Sequence, residues 1–71
     1  MTPGQITTIR TMIMRLDWFE TQFGTDRGDD VWDALKPITD ERRRYILTLI
    51  FNKKSLKIRE FLLQIGLTPK I

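Results

Sequence analysis

The sequence predicts an all-α fold, a small bundle of about four helices with the third helix at its centre. Apolar residues recur at intervals of three and four, the spacing of helices that bury one face. Capping residues precede these segments, and glycine or proline follows them, as is typical where helices start and stop. A chain of 71 residues has the length of one domain, so residues 1-71 are assigned to a single unit.

The first predicted helix covers about residues 3 to 23. Thr2, Pro3 and Gln5 supply its start signal: an N-cap, a proline in the first turn and the return partner of a capping box. Its inward stripe is Ile6, Ile9, Ile13, Leu16, Phe19 and Phe23. Gly24 is the predicted stop, because glycine readily takes the left-handed conformation that ends many helices.

The second predicted helix is about two turns long and lies between a polar loop and a proline. Asp29 or Asp30 is expected to cap it, and Pro37 cannot continue it. Its apolar residues are Val31, Trp32 and Leu35. Arg27-Gly28-Asp29, just before it, spells an adhesion tripeptide, which we treat as coincidence because three residues carry little information.

The third and fourth predicted helices follow, with Thr39 or Asp40 as the cap of the third. Its run from 45 to 51 is apolar without alternation, so we expect this helix to be covered on several sides. Asn52 and Lys53 are expected to make a tight turn, with Asn52 as the residue that tolerates the left-handed conformation. Ser55 is the expected N-cap of the fourth helix, whose inward residues are Ile58, Phe61, Leu62 and Ile65 and whose end is marked by Gly66 and Leu67.

The composition limits the chemistry of the protein. Cysteine and histidine are both absent, so the chain offers neither the usual ligands of zinc nor the base of a Ser–His–Asp triad. We therefore expect no enzyme activity, no metal and no cofactor. The first twenty residues carry Arg10 and Arg15 among the apolar ones, and no apolar run reaches the roughly 20 residues of a membrane span. These observations favour a cytoplasmic protein without a membrane partner.

Charge is separated along the chain. Residues 17 to 40 hold seven acidic and two basic side chains, a net charge of −5, whereas residues 41 to 71 hold eight basic and two acidic ones, a net charge of +6. A basic half of this kind can meet nucleic-acid phosphates, or the acidic surface of the same or another protein.

The third and fourth predicted helices match the residue pattern of a helix-turn-helix over about residues 43 to 62. The positions of that pattern are filled by Leu47, Thr48, Phe51, Asn52 and Ile58. In such a unit the second helix presents its N-terminal side chains to the major groove of DNA. The predicted nucleic-acid-binding residues are therefore Lys53, Lys54, Ser55, Lys57 and Arg59, with Arg42, Arg43 and Arg44 assisting.

A second hypothesis is a protein-interaction module or small inhibitor. Glu60 shares a stripe with Lys53 and Lys57, where it would face any phosphate, and Leu56, Leu63 and Leu67 form a second apolar line on the fourth helix. On a continuous first helix, Met14 and Trp18 lie one turn apart on the outward face. The predicted partner-binding residues are Met14, Trp18, Leu56 and Leu63. The alternative for Met14 and Trp18 is that they pack on the second helix or on a second copy of the chain.

A homodimer is expected on separate grounds. A domain of about this length buries only roughly 60% of the surface of its extended chain, so a monomer is marginal. Neither disulfides nor a zinc site can make up the deficit, because cysteine and histidine are absent. Self-association is the remaining route to stability.

Overall fold

The computed structural model describes residues 3–69, and over that range the chain is all-helical, as predicted. The described helices are α1 (Pro3–Met14), α2 (Phe19–Phe23), α3 (Gly28–Leu35), α4 (Asp40–Phe51) and α5 (Ser55–Gln64). The predicted N-cap Thr2 lies outside the described residues. Within residues 3–69, no helix combines the length and the apolar character needed to cross a lipid bilayer.

The prediction of one continuous helix over residues 3 to 23 is wrong, because α1 ends at Met14 and α2 begins at Phe19. At the corner between them, the amides of Leu16 and Phe19 donate to carbonyls only three residues back, at 3.1 and 2.9 Å. A continuous helix of that length would span about 31 Å. The longest dimension of the whole domain is 30 Å, so its end would project beyond the core. The corner turns α2 back onto the domain.

Five of the six inward residues predicted on this broken element are nevertheless buried, and the sixth, Leu16 at the corner, is half-buried. Ile6, Ile9 and Ile13 lie in the core from α1, and Phe19 and Phe23 enter it from α2. The two phenylalanine rings stack, with centroids 5.0 Å apart and an interplanar angle of 14°. Gly24 ends α2 with φ 83°, and its amide donates to the Glu20 carbonyl at 2.8 Å, so the predicted stop is confirmed.

The cap of α4 was predicted correctly, whereas the cap of α3 was not. The Thr39 side chain accepts a hydrogen bond from the amide of Arg42 at 3.2 Å. In α3 the N-cap is Arg27, without a capping side chain, and both predicted caps lie in the first turn of the helix. Carboxylates in that position, those of Asp29 and Asp30, are stabilised by the positive end of the helix dipole.

Gly66 and Leu67 end α5 as the sequence predicts. Gly66 has φ 98°, its amide donates to the Leu63 carbonyl at 3.1 Å, and the amide of Leu67 donates to the Leu62 carbonyl at 2.9 Å. These two bonds form a Schellman motif. Leu67 is thereby buried in the core, so it does not belong to the outward apolar line predicted for this helix.

The core draws on all five helices and on the C-terminal segment. Its buried apolar residues are Ile6, Ile9, Ile13, Phe19, Phe23, Val31, Leu35, Ile46, Leu49, Ile58, Phe61, Leu62 and Leu67. Helix α1 contacts α2, α3 and α4, whereas α4, the third predicted helix, packs mainly on α1 and α5. Since Tyr45 and Phe51 of α4 are exposed, this helix is not covered on all sides as its apolar run suggested.

Arg27 joins three parts of the chain and is 6% exposed. Its Nη1 donates to the carbonyls of Phe23 and Thr68, each at 3.0 Å, and its Nε donates to Oδ2 of Asp30 at 2.7 Å. The end of α2, the start of α3 and the segment after α5 are therefore held by one guanidinium group. The tripeptide that begins with Arg27 is thus part of the fold, with its arginine turned inward.

Candidate nucleic-acid interface at the turn between α4 and α5

The turn between α4 and α5 consists of residues 52–54 and is fixed by two backbone hydrogen bonds. The amide of Lys53 donates to the Ile50 carbonyl at 3.1 Å, and that of Lys54 donates to the Leu49 carbonyl at 3.0 Å, a second Schellman motif. The left-handed residue is Lys53, with φ 54°, and not Asn52, whose φ is −90°. Both lysine side chains are exposed.

The N-terminus of α5 has no capping side chain. Its N-cap is Lys54, and Ser55, the predicted cap, is instead the first residue of the helix. The first turn contains no acidic residue, whereas the first turns of α3 and α4 each contain two. The positive end of the α5 dipole therefore coincides with Lys54 and Lys57, without a carboxylate in that turn to balance it. An anion placed here gains from both the dipole and the lysines.

Two large apolar side chains flank the same turn. Phe51, the last residue of α4, is 72% exposed, and Leu56, in the first turn of α5, is 76% exposed. Phe51 is exposed because α4 turns Arg43, Ile46 and Leu49 toward the core instead. Phe51 lies roughly 140° around the helix from Ile46, at 100° per residue. An exposed ring beside basic side chains suits the stacking of an unpaired base.

The corner between α1 and α2 contributes a cation, Arg15, and a carboxylate, Asp17, to the surface beside this turn. A depression of about 350 Å³ separates this corner from the turn. It is lined by Arg15, Leu16, Asp17, Trp18, Ile50, Lys53, Ser55 and Ile58. Arg15 therefore joins Lys53 at one surface, although the two are far apart in sequence.

The three consecutive arginines of α4 have three different environments. Arg42 donates to Oε1 of Gln64 at 3.2 Å, and its guanidinium lies 5.0 Å from the centroid of the Phe61 ring. Arg43 is only 7% exposed. Arg44 is exposed, and its side chain makes no hydrogen bond or ion pair with residues 3–69. It shares one face of α4 with Thr48 and Phe51, at spacings of four and seven.

Arg43 must be removed from the predicted phosphate-binding set, because its guanidinium group is used inside the protein. Its Nε donates to the Leu35 carbonyl at 3.0 Å and its Nη2 to the Lys36 carbonyl at 2.6 Å. Its Nη1 donates to Oδ1 of Asp40 at 3.0 Å. The side chain satisfies carbonyls at the end of α3, where a helix lacks internal donors, and it is not directed to solvent.

The predicted face of Met14 and Trp18 does not form, because α1 ends at Met14. Both side chains are half-buried and pack against the core. The Trp18 ring lies 6.4 and 6.1 Å from the ring centroids of Phe19 and Phe23, and Met14 lies beside Gly28. Of the predicted partner-binding residues, Leu56 and Leu63 remain on the surface, 76% and 42% exposed.

Comparison of the chain with protein-family models, with curated proteins and with solved structures finds no match in any of the three.

Proposed function

We propose that this protein is a non-enzymatic nucleic-acid-binding protein that contacts the phosphate backbone through the basic turn, defined as Lys53, Lys54, Lys57 and Arg15. The observation that carries the proposal is the start of α5, where exposed lysines surround a helix N-terminus that has neither a capping side chain nor an acidic first turn. Phosphates bind well at such termini, because the first amides of a helix lack internal acceptors and the dipole is positive there.

Helices α4 and α5 act in this proposal as a helix-turn-helix unit. A turn of three residues is typical of that motif, and Ile58 and Phe61 of the second helix are buried against the rest of the domain, as the motif requires. The start of α5 would then enter the major groove with Lys54 and Lys57. Arg44, which was also predicted to assist, extends the positive surface along α4, whereas Arg43 does not contribute to phosphate binding.

The salt dependence of binding tests the proposal directly. Fluorescence anisotropy with labelled single-stranded and duplex DNA of mixed sequence should give affinities that fall linearly on logarithmic axes as salt increases. Each phosphate contact contributes about −0.9 to that slope on duplex DNA and about −0.7 on single strands. A protein that shows no binding to either probe at low ionic strength contradicts the proposal.

Substitutions that each remove one positive charge identify the surface that binds nucleic acid. Lys54→Gln and Lys57→Gln should each weaken binding across unrelated sequences and reduce the salt slope by about one contact. Lys36→Gln is the matched control, because Lys36 is also exposed but lies at the end of α3, within the acidic part of the sequence. Equal losses from all three variants would mean that net charge alone drives binding, and the assigned turn would be wrong.

A second candidate function is binding of another protein through the outward leucines of α5. Leu56 and Leu63 favour it because side chains this large and apolar are exposed on a helix whose other face is already buried. Without Met14 and Trp18 this surface is smaller than the one predicted from the sequence. The salt titration separates the two functions, since apolar contacts with a protein lack the slope that counterion release produces.

A further inference from the structure

The outward face of α5 carries a short apolar stripe. Leu56 and Leu63 are seven residues apart and so lie within roughly 20° of each other around the helix. The buried face of α5, formed by Ile58, Phe61 and Leu62, points in the opposite direction. The two leucines therefore stand on the solvent side of a helix that is already fully packed beneath, and no described segment covers them.

Opposite charges border this stripe on its two sides. Arg59 and Glu60 lie between the leucines along the helix, each roughly 50° from the line that joins them. Both are exposed, and neither side chain forms an ion pair or hydrogen bond with residues 3–69. A partner that covers the leucines would meet a positive charge on one side and a negative charge on the other.

We propose that this face binds a second copy of the same chain, with the two α5 helices parallel and related by a two-fold axis along them. This rotation places Leu56 opposite Leu56 of the second copy and Leu63 opposite its equivalent. It also exchanges the two borders, so that Arg59 of each copy lies beside Glu60 of the other. A seven-residue apolar repeat with complementary flanking charges is the pattern by which parallel helices pair.

The charges select the parallel arrangement over the antiparallel one. In an antiparallel pair each border faces its own equivalent, so Arg59 would meet Arg59 and Glu60 would meet Glu60. Like charges in such positions disfavour a pairing. Since α5 is ten residues, about 15 Å, long, the area that two such helices bury is at the small end for protein interfaces, and the dimer is expected to be weak.

Introduced cysteines distinguish these arrangements, because the chain contains no cysteine of its own. On oxidation, Leu63→Cys and Leu56→Cys should each form a disulfide-linked dimer faster than Lys57→Cys, which lies on the side of α5 away from the stripe. In an antiparallel dimer, cross-linking would instead need a mixture of the two leucine variants. Rates no higher than that of Lys57→Cys, or cross-linking confined to the mixture, would overturn the proposal. Circular dichroism checks that each variant folds.

Charge exchange tests the pairing without altering the leucines. Arg59→Glu should weaken the dimer by about tenfold, since it replaces two attractive pairs by two repulsive ones. The double variant R59E/E60R restores opposite charges across the axis and should recover the wild-type affinity in sedimentation equilibrium. A wild type that stays monomeric at high concentration, or a double variant no tighter than Arg59→Glu, would contradict the interface. Nucleic acid is absent from both experiments, so their outcome is independent of the proposed function.

Discussion

Replacing Arg43 by alanine should destabilise the domain far more than replacing its neighbour Arg44. Arg43 donates two hydrogen bonds to the carbonyls of Leu35 and Lys36 from a site that is 7% exposed. Hydrogen bonds from a charged group contribute about 1.5–3 kcal/mol each, and the two carbonyls are left without this donor when it is removed. The ion pair with Asp40 adds little to the free energy of unfolding, because that carboxylate is half exposed. We expect a loss of about 3–5 kcal/mol in the free energy of unfolding.

Urea unfolding followed by tryptophan fluorescence measures this loss, since Trp18 and Trp32 are both half-buried and change environment on unfolding. Arg44→Ala is the matched control. It removes the same side chain and the same charge one residue away, from a position in solvent, where substitutions usually change stability by less than about 0.5 kcal/mol. If the two variants differ by less than about 1 kcal/mol, on the order of a single neutral hydrogen bond, Arg43 does not have this stabilising role.

Four backbone substitutions test the helix ends in the same urea assay. Lys53→Gly should stabilise the domain by about 0.5–1 kcal/mol because Lys53 is left-handed, whereas Asn52→Gly, at φ −90°, should not. Gly28→Ala should stabilise it by about 0.4–1 kcal/mol, since the added Cβ meets Met14 at an ordinary 3.7 Å. Gly66→Ala should destabilise it by about 1 kcal/mol, because φ 98° is strained for alanine even though the space is open. Reversed signs for the two alanine variants would contradict this reasoning.

Apolar periodicity and end signals predicted the helices because both are local properties of the chain. The bounds of α4 and α5, the stop at Gly24 and the cap at Thr39 all depend on residues within one turn of each boundary. The corner after Met14 has no such signal in the residues around it. An apolar spacing of three and four continues through the corner, so the periodicity does not show the break. Local pattern therefore identified most of the buried apolar side chains and missed the break between α1 and α2.

The candidate site was predicted in part for the same reason. Lys53, Lys54 and Lys57 surround the turn that Asn52 and Ser55 mark in the sequence, so the grouping of these three lysines follows from the sequence. Arg15 lines the same depression as Lys53, and this proximity of two distant parts of the chain cannot be predicted from local pattern. The different roles of Arg42, Arg43 and Arg44 could not be predicted either, since three adjacent cations on one helix turn are indistinguishable until the carbonyls at the end of α3 are placed beside one of them.

The two buried arginines, Arg27 and Arg43, weaken the reason to expect self-association. A domain of this size without disulfides or a metal was expected to need a partner subunit for its stability. Arg27 and Arg43 instead supply hydrogen bonds between different elements: Arg27 donates to a carbonyl 41 positions away, and Arg43 ties α4 to the end of α3. These bonds act within one copy of the chain. The dimer proposed for α5 is therefore not required for the stability of the fold. Its interface can be weak and reversible, with two leucines and one pair of opposite charges contributed by each copy.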